Sequence, residues 1–362
     1  MVRKQEKKGE VEPLPSRHVF LDTQVYRALG HNPANPAMRL LAKQVAEHRV
    51  VLHTTDITLL EVKRQIHERV LLKQQELSSL EKDLRRWRKS APKSAPSEPV
   101  VFEPEALAGE LFAQFHEFLV FECSAIVHNA LDLHAGLIFK KYFDRAPPFD
   151  KEASKEFPDA FMIEALLAWC DEQSEKITVV TGDGAMRRAA EATKSLVAVE
   201  KLQDMLMRAA ADLGQEGEEA AEAVLNHPAF DQTFREAVDH QMKDVGYVYI
   251  GDLPDGEAFD GRLLRIEAID GWSVVGLSDT RVNLVVDAKL QVQVDVQYDE
   301  RSEAIYDRED DRYYGAETAS MELEDEVDVQ ILIEVDRGSG VVREAKVLDR
   351  DITVSGPHDE LY

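Results

Sequence analysis

Only two cysteines, Cys123 and Cys170, occur in the 362 residues, and no CxxC pair is present. That excludes a disulfide framework and a cysteine-rich structural zinc site. Long hydrophobic runs are missing too. The densest apolar stretch, Phe118 to Val127, contains Glu122 and falls well short of the roughly 20 residues a bilayer span needs. Met1 to Arg17 is rich in Lys and Glu and has no apolar centre, so it does not read as a signal peptide. There is no GxxxxGK phosphate loop, and Gly182-Asp183-Gly184 lacks the third glycine of a dinucleotide fingerprint. Basic residues are in deficit, 43 against 69 acidic, for a net charge of −26. A histone-like or general polyanion binder is therefore disfavoured. These absences together predict a protein without a membrane span, in a reducing, cytoplasmic setting.

What is present is a hydrophobic fraction of 44%, enough for a packed core. The length favours two domains. The charge is unevenly spread. Residues 1–100 hold 19 basic and 12 acidic side chains, and residues 1–200 hold 28 and 30. Residues 201–362 hold 15 and 39, so the acidic excess sits in the C-terminal part. A near-neutral first half with a basic N-terminal quarter can still meet a phosphate backbone.

Along the chain, His18 to Thr23 reads as a short buried strand ending in a carboxylate, and Val50 to Thr54 as a second strand. Thr54, Thr55 and Asp56 are cap-type residues before a long helix in which Leu59, Leu60, Val62, Ile66 and Val70 fall at helical spacing. Its basic tail, Lys82 to Arg88, carries Trp87, and could bind a nucleic-acid strand by charge and stacking or be a plain charged helix end. Residues 89–97 read as a loop. Pro158 suits the first turn of another helix. Ile177 to Thr181 and Leu196 to Val199 read as two more strands. Strands separated by helices predict a parallel sheet with helices on both faces. After residue 200 the grammar changes. Residues 201–244 are Ala/Glu-rich and helical, and from Val245 the hydrophobic period becomes two, as in Leu290, Val292, Val294 and Val296. That predicts a mostly antiparallel sheet.

Four acids stand where they invite chemistry. Asp22 ends the first strand. Glu61 lies about a turn into the helix after the second. Asp159 opens a late helix, and Asp183 follows the strand 177–181. Singly, each has an ordinary explanation: a helix cap, a solvated helix residue, a dipole partner, a turn residue. In an open α/β sheet, however, strand ends and helix starts converge in one crevice. Clustered carboxylates repel unless some hold protons or a cation joins them. No His or Cys set accompanies them, so Mg²⁺ or Mn²⁺ fits better than zinc.

The ordered quartet, in Phe20-Leu21-Asp22-Thr23, Thr58-Leu59-Leu60-Glu61, Phe157-Pro158-Asp159-Ala160 and Thr181-Gly182-Asp183, resembles that of the PIN-domain nucleases. The resemblance covers about residues 18–200. It implies a three-layer α/β fold and a metal-dependent endonuclease hydrolysing phosphodiesters, with Asp22, Glu61, Asp159 and Asp183 as catalytic and metal-ligating residues. RNA, as a single strand, is the substrate the family most often implies; a DNA-directed enzyme, for example in defence against foreign DNA, is the alternative. A homodimer is a further implication. A non-catalytic interaction scaffold is the rival from another class.

Lys151 and Lys155 before Asp159, with Thr181 and Arg187 about Asp183, are the candidate substrate contacts. His128 and His134, six apart, share no helix face and do not form a metal pair. The acidic run Asp307 to Asp311 lacks the glycine and terminal Glu of an EF-hand loop. The expected organisation is a polar tail at 1–17, a PIN-like domain at 18–200, a helical connector at 201–244 and an acidic β-rich domain at 245–362. The last is the expected surface for a protein partner.

Overall fold

The computed structural model describes residues 2–3, 12–90, 102–149, 156–301, 305–307, 312–314, 317–349 and 351–356. The chain forms two compact units: Leu14–Ala209, and Met1–Pro13 together with Ala210–Tyr362. Its first strand, Val2–Arg3 (β1), belongs to the second of these.

The Leu14–Ala209 unit is built on five parallel strands: His18–Leu21 (β2), Val51–Thr55 (β3), Ile126–His128 (β4), Ile177–Val180 (β5) and Leu196–Val199 (β6). Their order is β4-β3-β2-β5-β6. After β2 the chain builds outward on one side through β3 and β4, then returns to add β5 and β6 on the other. The C-terminal end of β2 is thus the switch point at which a crevice opens. Helices Thr23–Ala28 (α1), Pro36–Ala46 (α2), Asp56–Ser90 (α3), Pro104–Glu117 (α4), Ala135–Phe143 (α5), Phe157–Gln173 (α6), Gly184–Glu191 (α7) and Leu202–Ala209 (α8) connect and flank the strands. Asn35 caps α2 by accepting from Ala37 N, just before Pro36 fixes the first turn. Phe20 and Val179 on one sheet face pack with Met162, Ile163 and Leu166 of α6. Val19, Leu21, Leu52 and Val180 are buried as well, which is why the strands read as continuous apolar runs.

Three histidines on neighbouring strands form a hydrogen-bonded chain inside this unit. His18 Nδ1 lies 2.9 Å from His53 Nε2, and His53 Nδ1 lies 2.8 Å from His128 Nε2. The Trp169 ring of α6 packs against His53 with centroids 4.5 Å apart. His128 thus pairs with His53, not with His134. A neutral imidazole has one donor and one acceptor, so His18 and His53, or His53 and His128, must adopt matching tautomers. Burial first, then the neighbouring imidazoles, pushes the His53 pKa down to about 3.

In the second unit, Glu257–Leu277 (β8), Arg281–Glu300 (β9), Glu317–Asp336 (β12) and Val342–Val347 (β13) form an antiparallel sheet, with β1 added in parallel beside β8. β9 and β12 pair from Arg281↔Asp336 to Glu300↔Glu317 without a bulge. Gly246–Ile250 (β7) pairs in parallel with Asp351–Ser355 (β14), whereas Ile305–Asp307 (β10) and Arg312–Tyr314 (β11) form an antiparallel pair. Arg308 to Asp311, within the acidic run, lie outside the described residues.

Two expected boundaries differ. The N-terminal stretch, expected as a tail, supplies β1, because the β8 edge leaves backbone groups to pair. Residues 201–244, expected as a connector, are divided. α8 belongs to the first unit, where Gln44 Nε2 donates to Leu206 O at 3.0 Å. Gly214–Leu225 (α9) and Phe230–Met242 (α10) pack on the long sheet: Val224, Phe230, Phe234 and Val238 share one core with Leu284, Val286, Ile331 and Ile333. Their apolar residues fall on one helical stripe, and such a stripe has to be buried.

Candidate metal centre

Asp22 is the first residue past β2. Its N–H donates to Val180 O at 3.0 Å, continuing the β2–β5 ladder by one step, and its carbonyl accepts from Val25 N as α1 begins. The side chain is only 3% exposed. Thr181 donates to Asp22 Oδ2 at 2.7 Å, and Thr23 Oγ1 reaches Oδ1 at 3.2 Å. Burial raises the Asp22 pKa; the two hydroxyls oppose that rise, and the charge of Asp183 adds to it.

Thr181 has a second role. Its Oγ1 accepts from Asp183 N at 3.0 Å. Asp183 Oδ1 in turn caps α7, accepting from Ala185 N at 2.6 Å and Met186 N at 3.0 Å, while Gln24 Nε2 donates to Oδ2 at 3.4 Å. One oxygen of Asp183 is thereby committed to the helix. Glu61 projects from the second turn of α3. Burial raises its pKa, a hydrogen bond from Thr23 lowers it, and Asp22 raises it again. Thr23 has a single hydroxyl proton to share between Asp22 and Glu61.

Asp159 is the third residue of α6, after Pro158. Burial pushes its pKa well above the ordinary carboxylate range, followed by a hydrogen bond with Glu156 and the charges of Asp22, Glu156 and Glu61. Glu156, the residue before α6, is the acid that sequence reasoning missed. It makes no side-chain cap to its helix. One carboxylate oxygen each from Glu156, Asp159 and Asp183 lie within 4.8 Å of one another. The available signal was spacing: three positions apart at a helix start, Glu156 and Asp159 share a side.

The four predicted acids therefore fall into one electrostatic neighbourhood at the β2 switch point. Asp159 and Asp183 approach directly. Asp22 joins through Thr181, and Glu61 through Thr23. The donors that reach Asp22 and Asp183 are neutral hydroxyls, an amide and backbone N–H groups. The charges of neighbouring acids add to the effect of burial in raising the proton affinity of Asp22, Glu61 and Asp159. Among the described residues the three-acid group contains no His or Cys. An all-oxygen donor set fits a hard divalent cation, Mg²⁺ or Mn²⁺, rather than zinc.

The proposed phosphate contacts fare differently. Arg187 pairs with Glu200 at 3.5 Å across exposed side chains, a contact easily exchanged for another anion. Thr181 is fully buried and engaged with Asp22 and Asp183, so it serves as a positioning residue and not as a substrate contact. Lys151 and Lys155 lie outside the described residues.

Residues 19–186 match a family model described as a PIN domain. The matched segment runs from β2 into α7 and contains all four predicted acids and Glu156. No curated protein and no solved structure matches the chain significantly.

Proposed function

Because the chain carries a PIN domain, a fold of nucleases, over residues 19–186, we propose that it is a metal-dependent endonuclease that hydrolyses phosphodiester bonds in single-stranded RNA. The observation that carries this reading is the convergence of acids from the ends of β2 and β5 and the starts of α3 and α6 on one neighbourhood, with Asp22 buried and the others half-buried. Asp22, Glu61 and Asp159 would hold the ion, with Glu156 and Asp183 Oδ2, the oxygen not committed to the α7 cap, beside them. A bound divalent cation would polarise the phosphoryl group and lower the pKa of an attacking water.

The chain's own residues set the conditions for that chemistry. Thr181 holds Asp22 in one orientation, so its oxygens need not be reorganised on loading. Asp159 must give up its proton to act as a ligand, so loading is favoured as pH rises. Hydrolysis needs no nucleophilic side chain, since water attacks phosphorus and one P–O ester bond breaks. The acidic second unit fits a protein partner better than a second nucleic-acid reader.

The test is to incubate the purified chain with labelled single-stranded RNA and DNA, with Mg²⁺, with Mn²⁺ and with chelator. RNA cleavage lost in chelator is the expected result. Cleavage of DNA alone would replace RNA with DNA as substrate, and no cleavage under any condition would leave the fold as a scaffold.

A further inference from the structure

Beside the carboxylates, α3 and α4 enclose a groove of about 490 Å³. Leu60, Lys63, Arg64 and His67 line it from α3. Arg64 links this lining to the candidate metal centre, because its charge acts on Glu61. Leu60 is 53% exposed, an unusual setting for a leucine with apolar neighbours at hand. From α4 come Ala108, Gly109 and Glu105. A Cβ placed on Gly109 would meet nothing within 4 Å, so this mid-helix glycine is not required by packing within the described residues. It carries a helix-propensity cost of about 1 kcal/mol against alanine, and it keeps the groove wall low.

Further along α4 come the rings of Phe112 and His116. Lys63 Nζ lies 5.7 Å from the centroid of the Phe112 ring. Phe112 and His116 follow with ring centroids 5.9 Å apart, and His116 and the 71% exposed Phe121 with centroids 6.3 Å apart. Cations on one helix, with half-buried rings on its neighbour and an exposed ring just past its end, are the two components of a single-strand binding track. The groove floor itself is apolar, and the Glu105 carboxylate on its wall would repel a phosphate. Phosphates therefore belong on the Lys63 and Arg64 side and the apolar space belongs to a base, whose N–H groups Glu105 can accept.

We propose that the α3–α4 groove is a nucleobase subsite: it takes one unstacked base of the single-stranded substrate close to the scissile phosphate, while Lys63 and Arg64 hold the adjoining phosphates. The proposal rests on the nuclease reading for its substrate, but its test does not need catalysis. Equilibrium binding is measured by fluorescence anisotropy, in chelator, with a short labelled oligouridylate and with an abasic strand of equal length. The wild-type chain should prefer the oligouridylate by about tenfold, the scale of one base-stacking contact. Gly109→Leu, which fills the groove, should erase that preference and leave abasic-strand binding unchanged. Gly109→Ala adds one methyl to open space and should retain most of it. Lys63→Gln should weaken both strands alike.

An unchanged preference in Gly109→Leu, with circular dichroism like wild type, would overturn the subsite. If Gly109→Leu does not fold, Leu60→Lys on the opposite wall decides in its place: loss of the base preference supports the subsite, and retention overturns it. Absence of metal-dependent cleavage alongside a lost preference would sink the nuclease reading alone. Normal cleavage with an unaltered preference would sink the subsite alone.

Discussion

Thr181 and Asp22, 159 positions apart in sequence, meet through a 2.7 Å hydrogen bond between buried side chains. The same hydroxyl oxygen accepts from Asp183 N. One side chain thus fixes two of the acids at the switch point of the sheet. Thr181→Val keeps the shape and removes both bonds. It should destabilise the fold by about 1–3 kcal/mol, because buried polar groups lose their partner. It should also raise the metal concentration for half-maximal cleavage by roughly 10- to 100-fold. Metal titration of cleavage and urea unfolding in chelator read the two effects, and a normal metal requirement would remove Thr181 from the site.

Asp22→Asn and Asp159→Asn should each abolish cleavage while leaving the fold intact. Each removes a negative charge from a crowded site, so melting in chelator should be unchanged or slightly raised. Metal at 100 times its dissociation constant should stabilise the wild-type chain by about 2.7 kcal/mol, and this gain should vanish in both variants. A variant that cleaves like wild type would move the chemistry elsewhere.

His53 gives a pH prediction. Its folded pKa, about 3, lies below the ordinary value near 6.5. Between those values the unfolded chain binds the extra proton, so its contribution to stability is full above pH 6.5 and falls as pH drops towards 3. The slope is about 1.4 kcal/mol per pH unit. Asp22, Glu61 and Asp159 work the other way: their raised pKa values make the metal-free fold gain as pH falls. The comparison must therefore be between wild type and His53→Leu. Urea unfolding at pH 7.5 and pH 5 should show a smaller loss on acidification in the variant. Equal losses in the two proteins would mean that the imidazole is not held neutral.

Residues 201–362 carry 39 acidic against 15 basic side chains, and nucleic acid is a polyanion. A chain comprising Leu14–Ala209 alone should bind single-stranded RNA at least as tightly as the full protein. The gain should be largest at low salt, where screening is weakest. Weaker binding by a folded shortened chain would make the acidic unit part of the substrate site.

The parallel sheet was legible because strands buried on both faces read as short apolar runs, and Asp22 and Asp183 were legible because each follows such a run. Glu156 was not. It precedes Phe157-Pro158, where a helix start draws attention to what comes after the proline. The histidine chain was invisible for another reason: His18, His53 and His128 come from three strands, and no local period links them. The helices α9 and α10 were read correctly as helical, but their Ala/Glu content concealed an apolar stripe that belongs to the second core. β1 is two residues in a polar stretch, and only the exposed edge of β8 makes it a strand.

That small strand orders events during synthesis. Val2 and Arg3 leave the ribosome long before their partners, Ala268 and Ile269. The whole of Leu14–Ala209 is translated in between, with all its strand partners inside it. Domains fold as they emerge. The Leu14–Ala209 unit can therefore close while the sheet of the acidic unit is still unwritten, and a message broken late in the reading frame would release that unit complete without its acidic companion.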